Sequence, residues 1–275
     1  MIKQCVSAGL LLVAAVSACH AQHHTIVKLW ETDSVVNLPE SVLPAKEGYL
    51  FASQMGNNPN DKDGIGGIAK ISLTGKMLNA DWITGLNAPK GLGRFGNTLY
   101  AADLDEVVAI DIERGKVIKK IPVEGAKFLN DITIDDKGIV YVSDSRTKKI
   151  HRIENGMVST YLENIAGVNG LKSIGSDLYI AAGKYLKKAD KNRELTQLAE
   201  LPQGGDGLEP VGNGDFLWSA WAGYLYYVYA DGHYDLLLDT HLEKKNTADI
   251  AYDPVRKIIY VPTFWKKSVM AYQLK

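Results

Sequence analysis

Glu40, Asn130, Asn169 and Asp206 are the residues whose types and spacing could do chemistry together. Two carboxylates and two amides offer oxygen donors, the kind that hold a hard divalent cation: Ca2+ first, with Mg2+ or Mn2+ as alternatives. Zinc in a His/Cys site is excluded, because no histidine joins the set and the only cysteines are Cys5 and Cys19. Each of the four stands 10 to 12 residues before a marker in a repeated pattern, and the same count elsewhere finds Lys90 and Ala248. Asp131, Thr247 and Asp249 lie beside these positions. A purely conformational alternative is open: Asn130-Asp131 and Asn169-Gly170 are also pairs that turns select for backbone reasons.

The markers define the elements that must position these side chains. An aliphatic residue followed by an aromatic recurs as Leu50-Phe51, Leu99-Tyr100, Val140-Tyr141, Leu178-Tyr179, Leu217-Trp218 and Ile259-Tyr260. The aromatics are 49, 41, 38, 39 and 42 residues apart. The stretch Asn130–Asn155 displays the unit: an alternating strand, the turn Asp135-Asp136-Lys137-Gly138, a second strand, a polar turn and a third strand. Six units of about 40 residues predict an all-β, six-bladed β-propeller with four-stranded antiparallel blades. The first strand of each blade lines the central channel, so residues at the strand starts converge on the axis. Thr25–Trp30 alternates ahead of the first unit and is expected to close the last blade, since an unpaired edge invites aggregation.

Several competing motifs fail their context. The insertion Met55–Gly67 is rich in Gly, Asn and Asp. Read as a calcium loop it would place Pro59 first and Lys70 where the bidentate Glu belongs, so a solvated loop is expected. Gly91–Gly96 matches GxGxxG but is read as lying between two strands and opens no helix, which rejects a dinucleotide site. Of six histidines, 20, 23 and 24 belong to a mobile N-terminus and 151, 233 and 241 lack a motif. Trp218, Trp221 and the aromatics of Tyr224–Tyr229 read as packing, and Asp103 and Asp144 as structural acceptors for a neighbouring turn.

The chain has 275 residues and a formal net charge of −1, which gives no electrostatic reason to expect nucleic acid or an anionic membrane surface as partner. A small molecule and a monomeric body are the expectation. Lys3 and the apolar run Val6–Val16 form a signal segment too short to span a bilayer. It ends in Val16-Ser17-Ala18-Cys19, which resembles a bacterial lipobox. Residues 1–18 are thus expected to be a lipoprotein-type signal peptide and 19–275 one propeller, exported to the periplasm or cell envelope. Membrane contact would come only through a lipid on Cys19; ordinary cleavage after Ala21 is the competing reading.

With these residues in place, the sequence resembles the senescence-marker-protein/gluconolactonase family, six-bladed propellers that include lactone hydrolases and are similar to strictosidine-synthase-like proteins. The resemblance rests on Pro39-Glu40-Ser41, Asn130-Asp131, Asn169-Gly170-Leu171 and Asp206-Gly207-Leu208, one per blade and in family order. It implies that Glu40, Asn169 and Asp206 bind one divalent cation and that Asn130 touches substrate. It implies a metal-dependent hydrolase of a lactone or related ester: Asp206 as general base, Asn130, Asp131 and Lys90 toward substrate, and the cation polarising the carbonyl. The family's Glu-Gly-Pro reads Glu40-Ser41-Val42 here, its arginine two residues before the blade-three Asn is Phe128, and Lys90 enters the ring. These departures bear on sugar-lactone specificity. Lys90 pairing with Glu40 or Asp206 in place of a cation would leave a non-enzymatic ligand- or protein-binding propeller. A strictosidine-synthase-like lyase is the third reading.

Overall fold

The computed structural model describes residues 23–275; the expected signal segment, Cys5 and the lipidation candidate Cys19 lie outside them. The chain enters through β1 (Ile26–Glu31). Blade one is β2 (Pro39–Ala45), β3 (Tyr49–Gln54), β4 (Gly66–Ser72) and β5 (Met77–Leu86). Blade two is β6 (Pro89–Phe95), β7 (Thr98–Asp103), β8 (Glu106–Asp111) and β9 (Lys116–Pro122). Blade three is β10 (Leu129–Ile134), β11 (Val140–Asp144), β12 (Lys149–Glu154) and β13 (Met157–Leu162). Blade four is β14 (Val168–Ile174), β15 (Asp177–Ala182), β16 (Tyr185–Ala189) and β17 (Leu195–Glu200). Blade five is β18 (Leu208–Gly212), β19 (Asp215–Ala220), β20 (Tyr224–Val228) and β21 (Tyr234–Asp239). Blade six is β22 (Ala251–Asp253), β23 (Ile258–Pro262) and β24 (Val269–Leu274), with β1 as its outermost strand.

Local chemistry sets these elements. In blade three, Asp135 Oδ1 accepts the N–H groups of Lys137 and Ile139 at 3.0 and 2.8 Å. Gly138 completes that turn at φ +84°, where a side chain would be strained. The inner strand β10 is almost wholly buried, whereas the outer strand β9 is exposed at all but one position. Burial therefore falls from the axis outward.

The core consists of apolar clusters, each shared by two neighbouring blades. Phe51 packs with Leu92, Leu99 and Val108 across the blade one–two contact, and Tyr260 with Val42 and Leu50 across the blade six–one contact. The aromatic markers Phe51, Tyr100, Tyr141, Tyr179 and Tyr260 all face the following blade. Blade five departs from the sequence reading. Leu217, opposite Glu209, holds the marker's register and packs against blade six, whereas Trp218 faces back toward blade four.

The ring closes as expected: β1 runs antiparallel to β24, from Ile26 opposite Leu274 to Glu31 opposite Met270. His23 and His24 are not loose. His24 stacks on Tyr227 with ring centroids 3.6 Å apart, and His23 Nδ1 lies 3.1 Å from Asp235 Oδ1.

At the axis the inner strands come close. Gly91 lies on β6 itself, not between strands, and a Cβ there would sit 2.6 to 2.7 Å from backbone atoms of Asn130, Asp131 and Ile132. A Cβ on Gly170 would meet the Asp206 carbonyl oxygen at 2.2 Å. Backbone cannot yield as a flexible side chain can. Gly91→Ala is therefore expected to destabilise the fold by about 1–3 kcal/mol, the usual range for overpacking, as read by chemical denaturation. An unchanged midpoint would mean the inner ring is not tightly packed.

Candidate functional site

The residues that counting assigned to the strand starts sit in β-bulges. The register slips between Pro39 and Val42, Pro89 and Leu92, Leu129 and Ile132, and Val168 and Leu171. Blade five has the equivalent irregularity, with Ser219 receiving and donating backbone bonds at Asp206 and Gly207. A bulge lets two residues oppose one and re-aims a side chain. Here it turns Glu40, Lys90, Asn130, Asn169 and Asp206 into one cavity of about 230 Å³ at a channel mouth. Ala248, the sixth position, contributes no polar group and belongs to an apolar cluster with Leu38, Met55 and Phe264.

The loops before the inner strands are clamped by the acids that end the second strands. Asp103 accepts the N–H groups of Asn87 and Ala88 at 2.9 and 2.7 Å. Asp144 accepts those of Lys127 and Phe128 at 2.8 and 3.1 Å. Their structural role is as the sequence suggested, and it fixes the approach of Lys90 and Asn130 to the mouth.

On the cavity floor Asn169 Nδ2 donates to Asp206 Oδ1 at 2.7 Å, and Asn130 Nδ2 to Ser145 Oγ at 3.3 Å. Glu40 Oε2 and Asn130 Oδ1 are buried without a hydrogen-bond partner. Burial, with the nearby charges of Asp206 and Asp249, pushes Glu40 well above the usual carboxylate range, against an opposing pull from Lys90. Asp206 is pushed up to about 7 by burial and by Asp249, while the Asn169 amide opposes the shift. Lys90 is drawn down to about 8 by burial, opposed by Glu40 and Asp103.

Lys90 does not form the ion pair considered from the sequence. Its ammonium donates to the carbonyls of Ala88 and Pro59 at 2.9 and 3.0 Å and lies 4.3 Å from the centre of the Phe128 ring. Unpartnered carboxylate and amide oxygens lining one cavity fit a hard cation. Among the described residues no group of three or more His, Cys, Asp and Glu could hold a metal, so amide oxygens would have to complete the shell.

No protein-family model matches this chain, and no curated protein is significantly similar to it. Solved structures do match. A streptogramin B lyase aligns at 12% identity and TM-score 0.67, covering 92% of this chain and 98% of its own. A virginiamycin B lyase from Staphylococcus aureus aligns at 14% identity and TM-score 0.65, with 91% and 99% covered. A gluconolactonase-like protein aligns at 14% identity and TM-score 0.68, covering 92% of each chain. The likeness is one of fold.

The structure does not bring Asp131 to this cavity, contrary to its expected place beside substrate. It faces a second, small space further along the channel with Asp249, Glu209 and Lys172. There Asp131 Oδ2 accepts the N–H of Leu171 at 2.5 Å, tying blade three to blade four. Asp249 accepts from Ser41 Oγ at 2.5 Å, and Lys172 pairs with Glu209 at 2.7 Å. These residues lace the inner strands together.

The sequence reading missed the rest of the wall. Met55, Pro59, Phe128, Trp221 and Phe264 line the cavity above its polar floor. The insertion is exposed over residues 60–65, as expected, and it also crosses the mouth: Lys62 pairs with Asp105 at 2.5 Å, and Arg146 donates to Asn60 at 2.5 Å. Trp221, read as packing, is 45% exposed. A signal was available. Inner strands start at the mouth, so the turns joining second to third strands must face the same way, and Trp221 occupies one.

Asp131 supplies a pH test. Burial raises it to about 7, although N–H groups from Leu171 and Ile132 and the charge of Lys172 oppose the shift. An acid whose folded pKa exceeds its unfolded value, about 4, contributes stability that is whole below that value and lost as pH rises through about 7. Glu40, Asp206 and Asp249 are raised as well and act in the same direction. Stability in chelator should therefore fall between about pH 4 and 7, and Asp131→Asn should flatten part of that slope in denaturation curves. A variant as steep as the parent would remove Asp131 from the account.

Proposed function

We propose that this propeller is a metal-dependent hydrolase of a lactone or related ester, exported and tethered to the cell envelope through Cys19. The observation that carries this reading is the convergence of Glu40, Asn130, Asn169 and Asp206 from four blades on one cavity, with acceptor oxygens left unpartnered. Glu40, Asn169 and Asp206 would hold a divalent cation, calcium first on the strength of its oxygen-only shell. When bound, the cation would supply Lewis acidity toward the substrate carbonyl.

The chain's own side chains supply the remainder. Asp206, raised to about 7 in the absence of a cation, accepts the proton of the attacking water. Asn130 orients the carbonyl through its amide. Lys90 has spent two of its three donors on Ala88 and Pro59, and the third serves the developing oxyanion. The apolar wall lowers the local dielectric and strengthens each of these interactions. A virginiamycin B lyase of the same fold is catalytically inactive when one histidine is replaced by alanine. No histidine lines the cavity here, which favours hydrolysis over a copy of that lyase chemistry.

A metal-free binding propeller is the second reading. Lys90 favours it, since a buried ammonium already offers Glu40 a neighbouring positive charge. Metal content and thermal stability separate the two. The hydrolase reading expects one divalent ion per chain and a melting temperature lowered by chelator. Glu40→Gln and Asp206→Asn should abolish the chelator effect and reduce lactone hydrolysis by about 10²–10³-fold. A protein without metal, indifferent to calcium and inactive on lactones and esters, would leave the binding propeller.

A further inference from the structure

The polar groups of the cavity lie on its floor, and the wall above them is apolar. Trp221 and Phe264 meet edge to face across part of that wall, with ring centroids 5.4 Å apart. Phe128 contributes another ring, whose face is already taken up with Lys90 and Arg146. Met55, fully buried, closes the wall.

Two details mark this wall as built. Trp221 is 45% exposed, yet its backbone is pinned by buried neighbours: its carbonyl accepts from Asn246 Nδ2 at 2.8 Å. Thr247 Oγ1 lies 2.6 and 2.8 Å from the flanking carbonyls of Ala220 and Tyr224, which share its single proton. Phe264 holds φ at +49°, a conformation that bulky residues avoid and that tends to persist where surrounding structure enforces it. The enforcement is visible, since Thr263 beside it bonds the backbone and side chain of Ser268, and Ser268 Oγ donates to Glu31 at 2.8 Å. A half-exposed indole on a pinned turn and a strained phenylalanine are thus held against the same opening.

We propose that this mouth is a subsite for an apolar part of the substrate: an alkyl, acyl or aryl group attached to the lactone or ester whose carbonyl meets the floor. The inference rests on the hydrolase reading for the reacting group but on the wall alone for the apolar one. A polyhydroxylated sugar lactone is disfavoured, because hydroxyls beyond reach of the floor and of the cations at Phe128 would face Met55, Trp221 and Phe264, which offer no side-chain partner except the indole N–H. An apolar group there leaves water for ring faces, and each buried methylene should tighten binding about fourfold.

The test uses γ-lactones with alkyl substituents of increasing length, their unreactive lactam counterparts, and gluconolactone. Lactam affinity is read by calorimetry and lactone turnover by proton release. Lactam affinity should rise about fourfold per methylene until the wall is covered, and gluconolactone should bind more weakly than the longer alkyl lactones. Trp221→Ala should flatten the dependence on chain length, and Trp221→Phe should restore most of it. Val255→Ala is the control for surface adsorption, because Val255 is 90% exposed on the turn joining the two inner strands of blade six, away from the mouth. Affinity independent of chain length, tighter binding of gluconolactone, or an equal effect of the Val255 variant would overturn the subsite. Lactams that bind by chain length without any lactone being hydrolysed would sustain the subsite and remove the hydrolase reading. Hydrolysis with no chain-length dependence would do the reverse.

Discussion

Every blade of this propeller buries its two faces only against its neighbours, so the structure depends on closing the circle. A four-stranded sheet has no core of its own, and the apolar clusters lie between blades. Closure falls to β1, which enters beside the last strand of the chain and ends the row of sheets without a gap. The same demand reaches the axis, where inner strands approach until glycine is required at positions such as Gly91 and Gly170. Tight convergence there is what gathers side chains from separate blades into one small volume.

That convergence concentrates charge, and the fold handles it differently at two depths. Deeper in the channel, carboxylates are satisfied: Asp131 by backbone N–H groups, Asp249 by Ser41, and Glu209 by Lys172. At the mouth the satisfaction is incomplete, with Glu40 and Asn130 each keeping an unpartnered oxygen. Buried polar groups without partners are costly, and at the lining of a cavity a bound ion, water or ligand can satisfy them. The contrast between the two levels supports reading the upper one as a site and the lower one as lacing.

The repeat, the blade count, the closing strand and the residue at each strand start were legible because strand periodicity and turn chemistry are local. Counting located the floor without knowledge of the bulges, since every bulge adds its residue at the same place in the unit. What depended on which face a residue takes was not legible. Trp218 continued the marker pattern by eye yet stands one residue past the register, which reverses its face. Asp131 follows Asn130 in the chain but looks deeper into the channel. The loop at residues 55–67 is largely exposed, as its polar composition indicated, but its course over the mouth is set by contacts from blades two and three that no local pattern encodes. The aromatic wall was hidden for a similar reason, being assembled from turns far apart in sequence.

The manner of closure also orients the molecule. Since β24 starts beside Pro262, whose carbonyl accepts from Ala248 N–H at the mouth level, it runs away from the mouth toward Leu274. β1 begins opposite Leu274, and His24 is fastened there against Tyr227. His23 and His24, where the described residues begin, therefore lie on the face of the disc opposite the mouth. A tether of only a few residues would act as a mounting, presenting the cavity outward to whatever diffuses past.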